Sequence, residues 1–457
     1  MTHEWNGKSV LVVGLGDTGI SSARWLARAG AQVHAADTRA APPALGAFRE
    51  EFPRARVSLG AFELSLLEGV DAVAASPGVA LREPLLAAAL ARGIEVVGDV
   101  EILARSLARR GAGPRVIGVT GTNGKSTVTA LTAAMGAAAG LETVAAGNIG
   151  LPVLDALTRF ERDGFPELLV LELSSYQLET TSSLALDAAT MLNLTQDHLD
   201  RYDSIADYGR AKERVFMQCR RRVVNRDDAA SRAMADASAF SFGLGVPRGA
   251  CEWGMDERHG DLLHGAAKIV AAREMAMPGL HNAANGLAAH ALATAVGIEG
   301  EPVARALREF KGLPHRVENV AAVNGVRFYD DSKGTNVGAS VAALEGFTEP
   351  VVLIAGGDGK GQDFSPLVPA VKRHARAVVL IGRDAPAIAR ALEPSGIPVE
   401  RAASMEDAVL AAFHLSREGD AVLLSPACAS FDMFRNYGHR GEVFAAAARR
   451  LAQSRDS

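Results

Sequence analysis

Three groups of residues have types and spacings suited to phosphate chemistry. The run Gly118-Val119-Thr120-Gly121-Thr122-Asn123-Gly124-Lys125-Ser126-Thr127 lies between an apolar run at 116–119 and an Ala-rich run that reads as a helix. In that context backbone amides wrap phosphates, Lys125 reaches β and γ oxygens, and Ser126 can ligate magnesium. The run departs from the ordinary Walker pattern, with Val at position 119 and its first glycine one place early. A chance strand–loop–helix match is the competing explanation. Glu172 follows Leu168-Leu169-Val170-Leu171, and a carboxylate on a buried strand is costly unless paired or metal-bound. It reads either as a strand-end salt bridge or as the magnesium ligand that phosphoryl transfer needs. Asp197-His198 follow a further apolar run, where the histidine is either a structural hydrogen-bonding residue or a ligand.

Lys212 is less ordinary. Ser204 and Asp207 resemble a capping box, and Ile205, Tyr208, Val215 and Phe216 mark an apolar stripe on which Lys212 also falls. Either the lysine snorkels its charge outward, or it is desolvated with a lowered pKa. A neutral amine reacts with carbon dioxide to give a carbamate, which behaves as a carboxylate toward a metal, and both readings stay open. The third group is Gly14-Leu15-Gly16-Asp17-Thr18-Gly19, G-x-G-x-x-G after a strand and before a helix, with Asp37 ending the next strand. Such a turn brings amides and a helix N-terminus to a diphosphate. Alone it favours a dinucleotide, as in a nicotinamide-dependent dehydrogenase, over a tight turn with no ligand. Ser76-Pro77-Gly78 ends another strand that could face the same crevice.

These residues need elements to present them. Short apolar runs alternate with Ala/Leu-rich amphipathic runs, the pattern of βαβ units on parallel sheets. Strands are expected at 10–13, 33–36, 72–75 and 96–97, at 116–119, 168–173, 190–194 and 223–225, and at 326–329, 351–354, 378–381 and 422–424. The passages Arg109-Arg110-Gly111-Ala112-Gly113-Pro114 and Lys311-Gly312-Leu313-Pro314 separate these groups. The fold class is therefore α/β with three domains: 1–111, Rossmann-like; 112–312, a central P-loop ATPase-like parallel sheet; and 313–457, Rossmann-like. In open parallel sheets ligands sit at the carboxyl ends of strands, where every candidate above except Lys212 lies.

A length of 457 residues fits three domains at ~150 residues each. The 48% hydrophobic content lets each bury a core, and a net charge of -5 argues against a basic nucleic-acid sleeve. Cys219, Cys251 and Cys428 are far apart and form no C-x-x-C pair, which gives neither a disulfide framework nor a zinc spacing and fits a reducing cytoplasm. The most uncharged stretch, 126–141, is Ala/Gly/Thr-rich and follows a lysine, so no membrane span is expected. No cleavable hydrophobic region precedes the first strand.

Taken together, the motifs resemble the Mur ligases over essentially the whole chain. The resemblance is carried by the loop from Thr120 to Thr127, Gly147-Asn148-Ile149-Gly150, Glu172-Leu173-Ser174-Ser175-Tyr176-Gln177-Leu178-Glu179 and Asn193-Leu194-Thr195-Gln196-Asp197-His198-Leu199-Asp200. It continues through His281-Asn282 with Asn285, Leu313-Pro314-His315-Arg316, Asp331-Ser332-Lys333-Gly334-Thr335-Asn336, Gly356-Gly357-Asp358-Gly359-Lys360 and Ser425-Pro426-Ala427-Cys428-Ala429-Ser430. The middle runs are shared with folylpolyglutamate synthases and imply the reaction class only. The run from Asp331 to Asn336 is similar to that of the D-glutamate-adding branch, whose first domain binds a uridine diphosphate on such a glycine turn. That replaces the dehydrogenase expectation and keeps its physics.

The resemblance implies ATP-dependent ligation of D-glutamate to UDP-N-acetylmuramoyl-L-alanine through an acyl phosphate and a tetrahedral intermediate. It implies a cytoplasmic monomer in peptidoglycan precursor synthesis, using ATP and two Mg2+ ions, with no nucleic-acid partner. Lys125, Glu172, His198 and Lys212 would be catalytic; Ser126 and Glu172 would hold one metal, and His198 and carbamylated Lys212 the other. Gly121, Thr122, Asn123, Gly124, Lys125, Ser126, Thr127, Asn282, Asn285, Arg316 and Asp331 would surround ATP. Gly14, Leu15, Gly16, Thr18, Asp37, Thr38, Ser76, Pro77, Gly78 and Asn148 would bind the UDP substrate. Lys333, Thr335, Lys360, Ser430, Phe431 and Tyr437 would receive D-glutamate, two cations meeting two carboxylates. A solvated loop lysine is the plain alternative for Lys360. A hinge near 311–313 would let the last domain close over ATP and exclude water. The alternatives are an L-alanine-adding ligase, a folylpolyglutamate synthase (which lacks the N-terminal nucleotide turn), a dehydrogenase with a separate ATPase module, and a non-catalytic nucleotide-binding protein.

Overall fold

The computed structural model describes residues 4–111, 113–256, 258–277 and 279–453. Met1, Ala112 and Ser457, which bound expected segments, lie outside the described residues, as does Ala112 within the first expected linker. Three sheets follow one another along the chain. The first contains β1 (Ser9–Val13), β2 (Gln32–Asp37), β3 (Val57–Leu59), β4 (Ala72–Ala75) and β5 (Glu95–Val97), all parallel in the order β3-β2-β1-β4-β5. Val13 is in register with Ala36 and Ala75, so Gly14, Asp37 and Ser76 leave the sheet side by side.

The middle sheet has nine strands: β6 (Arg115–Thr120), β7 (Thr143–Gly147), β8 (Leu168–Glu172), β9 (Leu186–Met191), β10 (Cys219–Asn225), β11 (Phe240–Phe242), β12 (Glu252–Met255), β13 (Asp261–His264) and β14 (Ala267–Ala271). Their order is β14-β13-β12-β11-β10-β9-β6-β8-β7. The third sheet has β15 (Glu318–Val323), β16 (Val326–Asp330), β17 (Val351–Gly356), β18 (Ala375–Ile381), β19 (Val399–Arg401) and β20 (Ala421–Leu424), in the order β15-β16-β20-β17-β18-β19.

Two edges depart from the parallel pattern. β13 pairs antiparallel with β12 and β14, and β15 pairs antiparallel with β16. At the second edge Asn324 (φ 48°) and Gly325 (φ 77°) join Val323 to its partner Val326, and an Asn-Gly pair with two positive φ values is the tight hairpin turn that matches strand twist. The strand expected at 190–194 instead runs Leu186–Met191. Beyond it Asn193 leaves the sheet, its carbonyl and side chain accepting the amides of Thr122 and Asn123 at 3.0 and 2.8 Å.

The central strands form because they are almost wholly apolar and buried on both faces, as in the pattern of β8 and β17. The covering helices are one-sided: in Val153–Asp163 the residues Val153, Leu154, Ala156, Leu157 and Phe160 are buried and the intervening ones are polar. One apolar cluster runs from the first sheet into the middle one, joining Val100 and Leu103 to Leu154 and Leu178. The third sheet's clusters hold only residues from Val317 onward. The first two units thus share a core, and the third meets the middle sheet through directional polar contacts.

Candidate active site

At the first turn Gly14 (φ 92°) reverses the chain, and a Cβ on Gly19 would stand 1.9 Å from the Gly14 carbonyl oxygen. Only glycine lets the helix Asp17–Arg28 start that close. Ser76 Oγ donates to the Gly14 carbonyl at 2.8 Å, and the Leu15 amide donates to Asp37 Oδ2 at 2.7 Å. Asp37 also accepts the Arg39 amide, Nε and Nη2 at 2.7–2.9 Å. The Arg39 guanidinium holds its carboxyl down at about 2. Asp37 therefore braces the turn as a permanent anion. Leu15 is buried, the Thr18 carbonyl accepts Ser22 Oγ, and Thr38 and Gly78 are exposed beside Pro77. Asn148 lies elsewhere, just past the end of β7 beside the end of β8, where its amide donates to the Glu172 carbonyl at 2.9 Å and its Nδ2 to Glu172 Oε1 at 2.8 Å.

The middle loop wraps from β6 into the helix Lys125–Ala138. Gly124 (φ 81°) precedes it, and a Cβ there would meet Asn285 Oδ1 at 2.6 Å. Lys125 folds back over its own loop, with Nζ 3.0 Å from the Gly121 carbonyl and 2.8 Å from that of Thr122. Burial lowers its pKa, offset by Glu172. Ser126 is buried and accepts Arg316 Nη2 at 2.9 Å; Thr122 and Thr127 are buried beside it. Glu172 is 1% exposed, and its Oε2 has no hydrogen-bond partner. An oxygen that has lost water without gaining a donor is a strong place for a hard cation.

His198 (φ 56°) stands 2.7 Å from the Tyr176 hydroxyl through Nδ1 and 3.7 Å from Asp197 through Nε2. Burial, reinforced by the charges of Lys360, Lys125 and Lys212 against Asp197, pushes its pKa down to about 4, so its imidazole is neutral at pH 7. Lys212 sits in the helix Ile205–Glu213, capped by Ser204 Oγ accepting the Asp207 amide at 3.1 Å. It is 1% exposed, donates to the Gly121 carbonyl at 2.7 Å, and lies 4.5 Å from the Tyr208 ring. The side chain does not snorkel: burial first, then Lys125, drive its pKa well below the usual lysine range. Ile205, expected on the same apolar stripe, is 44% exposed at the helix start.

A cavity of about 180 Å³ opens beside the loop, lined by Asn123, Gly124, Thr127, Asn282, Asn285, Arg316 and Asp331. Asp331 accepts Ser425 Oγ at 2.7 Å, and burial pushes its pKa up to about 7 against the pull of that bond and of Arg316. Lys333 stands 5.0 Å from the Tyr437 ring with its pKa lowered by burial. The Thr335 amide donates to the Lys333 carbonyl at 3.0 Å. Lys360 (φ 50°) donates its amide to Asp358 Oδ1 at 3.0 Å, and its charge reaches His198. Ser430 is buried, whereas Phe431 is 73% and Tyr437 39% exposed.

Several residues at the site had no motif to mark them. Arg440 is buried and donates to Ser332 Oγ, the Ser332 carbonyl and the Cys428 carbonyl at 2.9, 2.7 and 3.0 Å. It ties the segment carrying Lys333 to the one carrying Ser430. Arg201 pairs with Glu179 and donates to the carbonyls of Pro77 and Val79, which fastens the chain after His198 to the first sheet's turn. Asn225, Phe242, Met277 and His281 also line the cavity; His281 Nδ1 is buried without a hydrogen bond, and burial lowers that ring's pKa to about 4. His281 belongs to the His281-Asn282 run already singled out in the sequence, whereas nothing local marked Arg440, Arg201, Asn225, Phe242 or Met277.

Three family models match the chain: Mur ligase MurD-like, N-terminal domain, over residues 8–98; Mur ligase middle domain, over 119–293; and Mur ligase, glutamate ligase domain, over 315–428. The UDP-N-acetylmuramoylalanine--D-glutamate ligase of Nitrosospira multiformis is 54% identical over 457 residues, covering 98% of this chain and 97% of that protein. The enzyme of the same name from Nitrosomonas europaea is 51% identical, with 97% of each chain covered. Among solved structures, the UDP-N-acetylmuramate-alanine ligase of Thermotoga maritima has a TM-score of 0.58 at 19% identity, covering 98% of this chain and 99% of its own. A pseudomurein peptide ligase type C from Methanothermus fervidus gives 0.58 at 18% identity, with 92% and 96% covered. At those identities the likeness is one of fold.

Proposed function

The chain belongs to the Mur ligase family, and on that premise we propose that it joins D-glutamate to UDP-N-acetylmuramoyl-L-alanine with hydrolysis of ATP to ADP and phosphate. It is an ATP-dependent amide-forming ligase of peptidoglycan synthesis, with small-molecule substrates. It is proposed to act in the cytoplasm as a monomer; no helix among the described residues is long and apolar enough to cross a membrane. The observation that carries the reading is one buried carboxylate with an unpaired oxygen, Glu172, felt by Lys125, Lys212 and the third unit's Lys333 together, with His198 within the fields of Lys125 and Lys212.

A carboxylate is a poor electrophile. Transfer of the γ-phosphoryl of ATP to the alanyl carboxylate releases ADP and gives an acyl phosphate. The D-glutamate amine then adds to that carbonyl, the tetrahedral intermediate expels phosphate, and the amine's proton is lost to give the amide. The glycine turn and the N-terminus of Asp17–Arg28 receive the UDP diphosphate, Asp37 keeping the turn in shape. Asn282, Asn285, Arg316 and Asp331 surround the nucleotide in the cavity. Lys125 leaves the carbonyls of Gly121 and Thr122 to neutralise the transferring phosphoryl group. Lys333, Thr335, Lys360, Ser430, Phe431 and Tyr437 receive D-glutamate, with Arg440 holding their two segments together.

The residues present fit two Mg2+ ions: Ser126 and Glu172 Oε2 for one, neutral His198 and a carbamate on Lys212 for the other. Burial works against the charge on Lys212 and so favours the uncharged amine, the form that carbon dioxide takes up. Bound magnesium would supply charge neutralisation at the phosphates. Residues 1–111, 112–312 and 313–457 then serve as UDP-substrate, ATP and D-glutamate domains.

The test is phosphate release from ATP with UDP-N-acetylmuramoyl-L-alanine present, adding D-glutamate, L-glutamate, L-alanine or meso-diaminopimelate in turn. Release with D-glutamate alone is expected. Release with another amino acid would keep the ligase chemistry and remove the roles given to Lys333, Thr335 and Lys360. No release under any condition would overturn the reading.

A further inference from the structure

Asn336 ends the segment that carries Lys333 and Thr335, and its carboxamide works in two places at once. Oδ1 accepts the Ala339 amide at 2.8 Å and so caps the helix Val337–Glu345. That cap fixes which way the amide group faces. Nδ2 therefore points across to the middle sheet, where it donates to Asn123 Oδ1 and to Asp197 Oδ2, each at 3.1 Å. Asn123 is in the phosphate loop, and Asp197 precedes His198. Asn336 is 4% exposed, so both bonds are shielded from water.

A second feature marks the same contact as built for close approach. A Cβ on Gly338 would lie 3.1 Å from Thr195 Oγ1 and 3.3 Å from Asn123 Nδ2, so the helix start presses on the middle unit's loops. Among the described residues no apolar cluster joins the third sheet to the middle one. The seating of the third unit over the phosphate loop thus depends on directional bonds, of which Asn336 makes three, counting the one its Oδ1 accepts from Asn123 Nδ2 at 3.4 Å, and Arg316 to Ser126 a fourth.

We propose that Asn336 is a positioning residue that latches the third unit onto the phosphate loop and Asp197, so that Lys333 and Thr335 reach the reacting centre only when that loop is correctly formed. The identity of the amino acid involved rests on the reading above; the latch itself rests on the geometry of Asn336.

Asn336→Ser and Asn336→Asp test it, because serine and aspartate both cap helices well while serine is too short to reach Asp197 and aspartate offers it no donor. With ATP, Mg2+ and UDP-N-acetylmuramoyl-L-alanine supplied, the expected result for Asn336→Ser is an unchanged melting temperature and kcat/KM for D-glutamate lowered about tenfold or more. The KM for ATP should move less. Asn336→Asp should lose more than Asn336→Ser, since its carboxylate faces that of Asp197. A serine variant with the parent's kcat and KM for D-glutamate would overturn the latch, as would an aspartate variant as active as the parent. If the parent itself gives no D-glutamate-dependent phosphate release, the functional reading fails separately. The latch is then read from small-angle scattering with Mg2+ and a β,γ-imido ATP analogue, where an expanded Asn336→Ser variant supports it and parent-like scattering overturns it.

Discussion

Replacing Asp99 with Asn should stabilise the protein at neutral pH and remove a pH dependence that the parent carries. Asp99 opens the helix Asp99–Ala108, is fully buried against the middle unit, and accepts Gln177 Nε2 at 3.1 Å. Its Oδ1 has no partner. Burial outweighs that hydrogen bond and the pull of the backbone amides of Val100 and Asp99 itself, and pushes its pKa from 3.8 up to about 6. Between those values the folded protein holds a proton that the unfolded chain has released, so stability falls as pH rises through this window and the cost is complete above about pH 6. At 1.36 kcal/mol per pH unit the cost is ~3 kcal/mol. Asparagine keeps an oxygen for Gln177 and never ionises. Thermal and denaturant unfolding of parent and Asp99→Asn at pH 4.5, 6 and 8 is the assay. The variant should melt several degrees higher at pH 8, and the two should converge toward pH 4.5. Parallel profiles, or a variant less stable at pH 8, would refute the argument from burial.

Gly19→Ala places a methyl group against the Gly14 carbonyl, a backbone atom that cannot swing away; KM for the UDP substrate should rise at least about tenfold while KM for ATP stays near the parent's in steady-state assays. Arg440→Met leaves three buried acceptors without their donor, a loss of about 3–5 kcal/mol visible in denaturant unfolding, with KM for D-glutamate raised; Arg440→Lys should recover part of both. Phe431→Ala, at a side chain 73% exposed, should change stability by less than about 0.5 kcal/mol, so any effect should appear in KM for D-glutamate and not in the melting curve.

The glycine turn, the phosphate loop, Glu172 and most of the central strands were legible in sequence because each depends on neighbours a few residues away. A turn needs glycine where φ is positive, and a strand buried on both faces must be continuously apolar. The Asn324-Gly325 hairpin carried an equally local signal, but its strand β15 opens on Glu318 and Asn319 and stays half-exposed at the sheet edge, which hid it among loop residues. The short strands β12–β14 were missed for the same reason.

Lys212 shows the boundary between the two kinds of information. Sequence put it on an apolar stripe and left it free to point either way. The fold turned it inward onto the carbonyl of Gly121, 91 residues distant, and its burial there works against its charge. Asn336 and Asp197 are 139 residues apart, and Arg440 and Ser332 108. No periodicity encodes such meetings, because they arise where separate sheets and helices come to rest against one another. By itself the sequence determined which residues could handle phosphate and which strand ends would carry them. The tertiary structure decided which of them share one desolvated place, because burial and long-range charge exist only once the chain has closed around them.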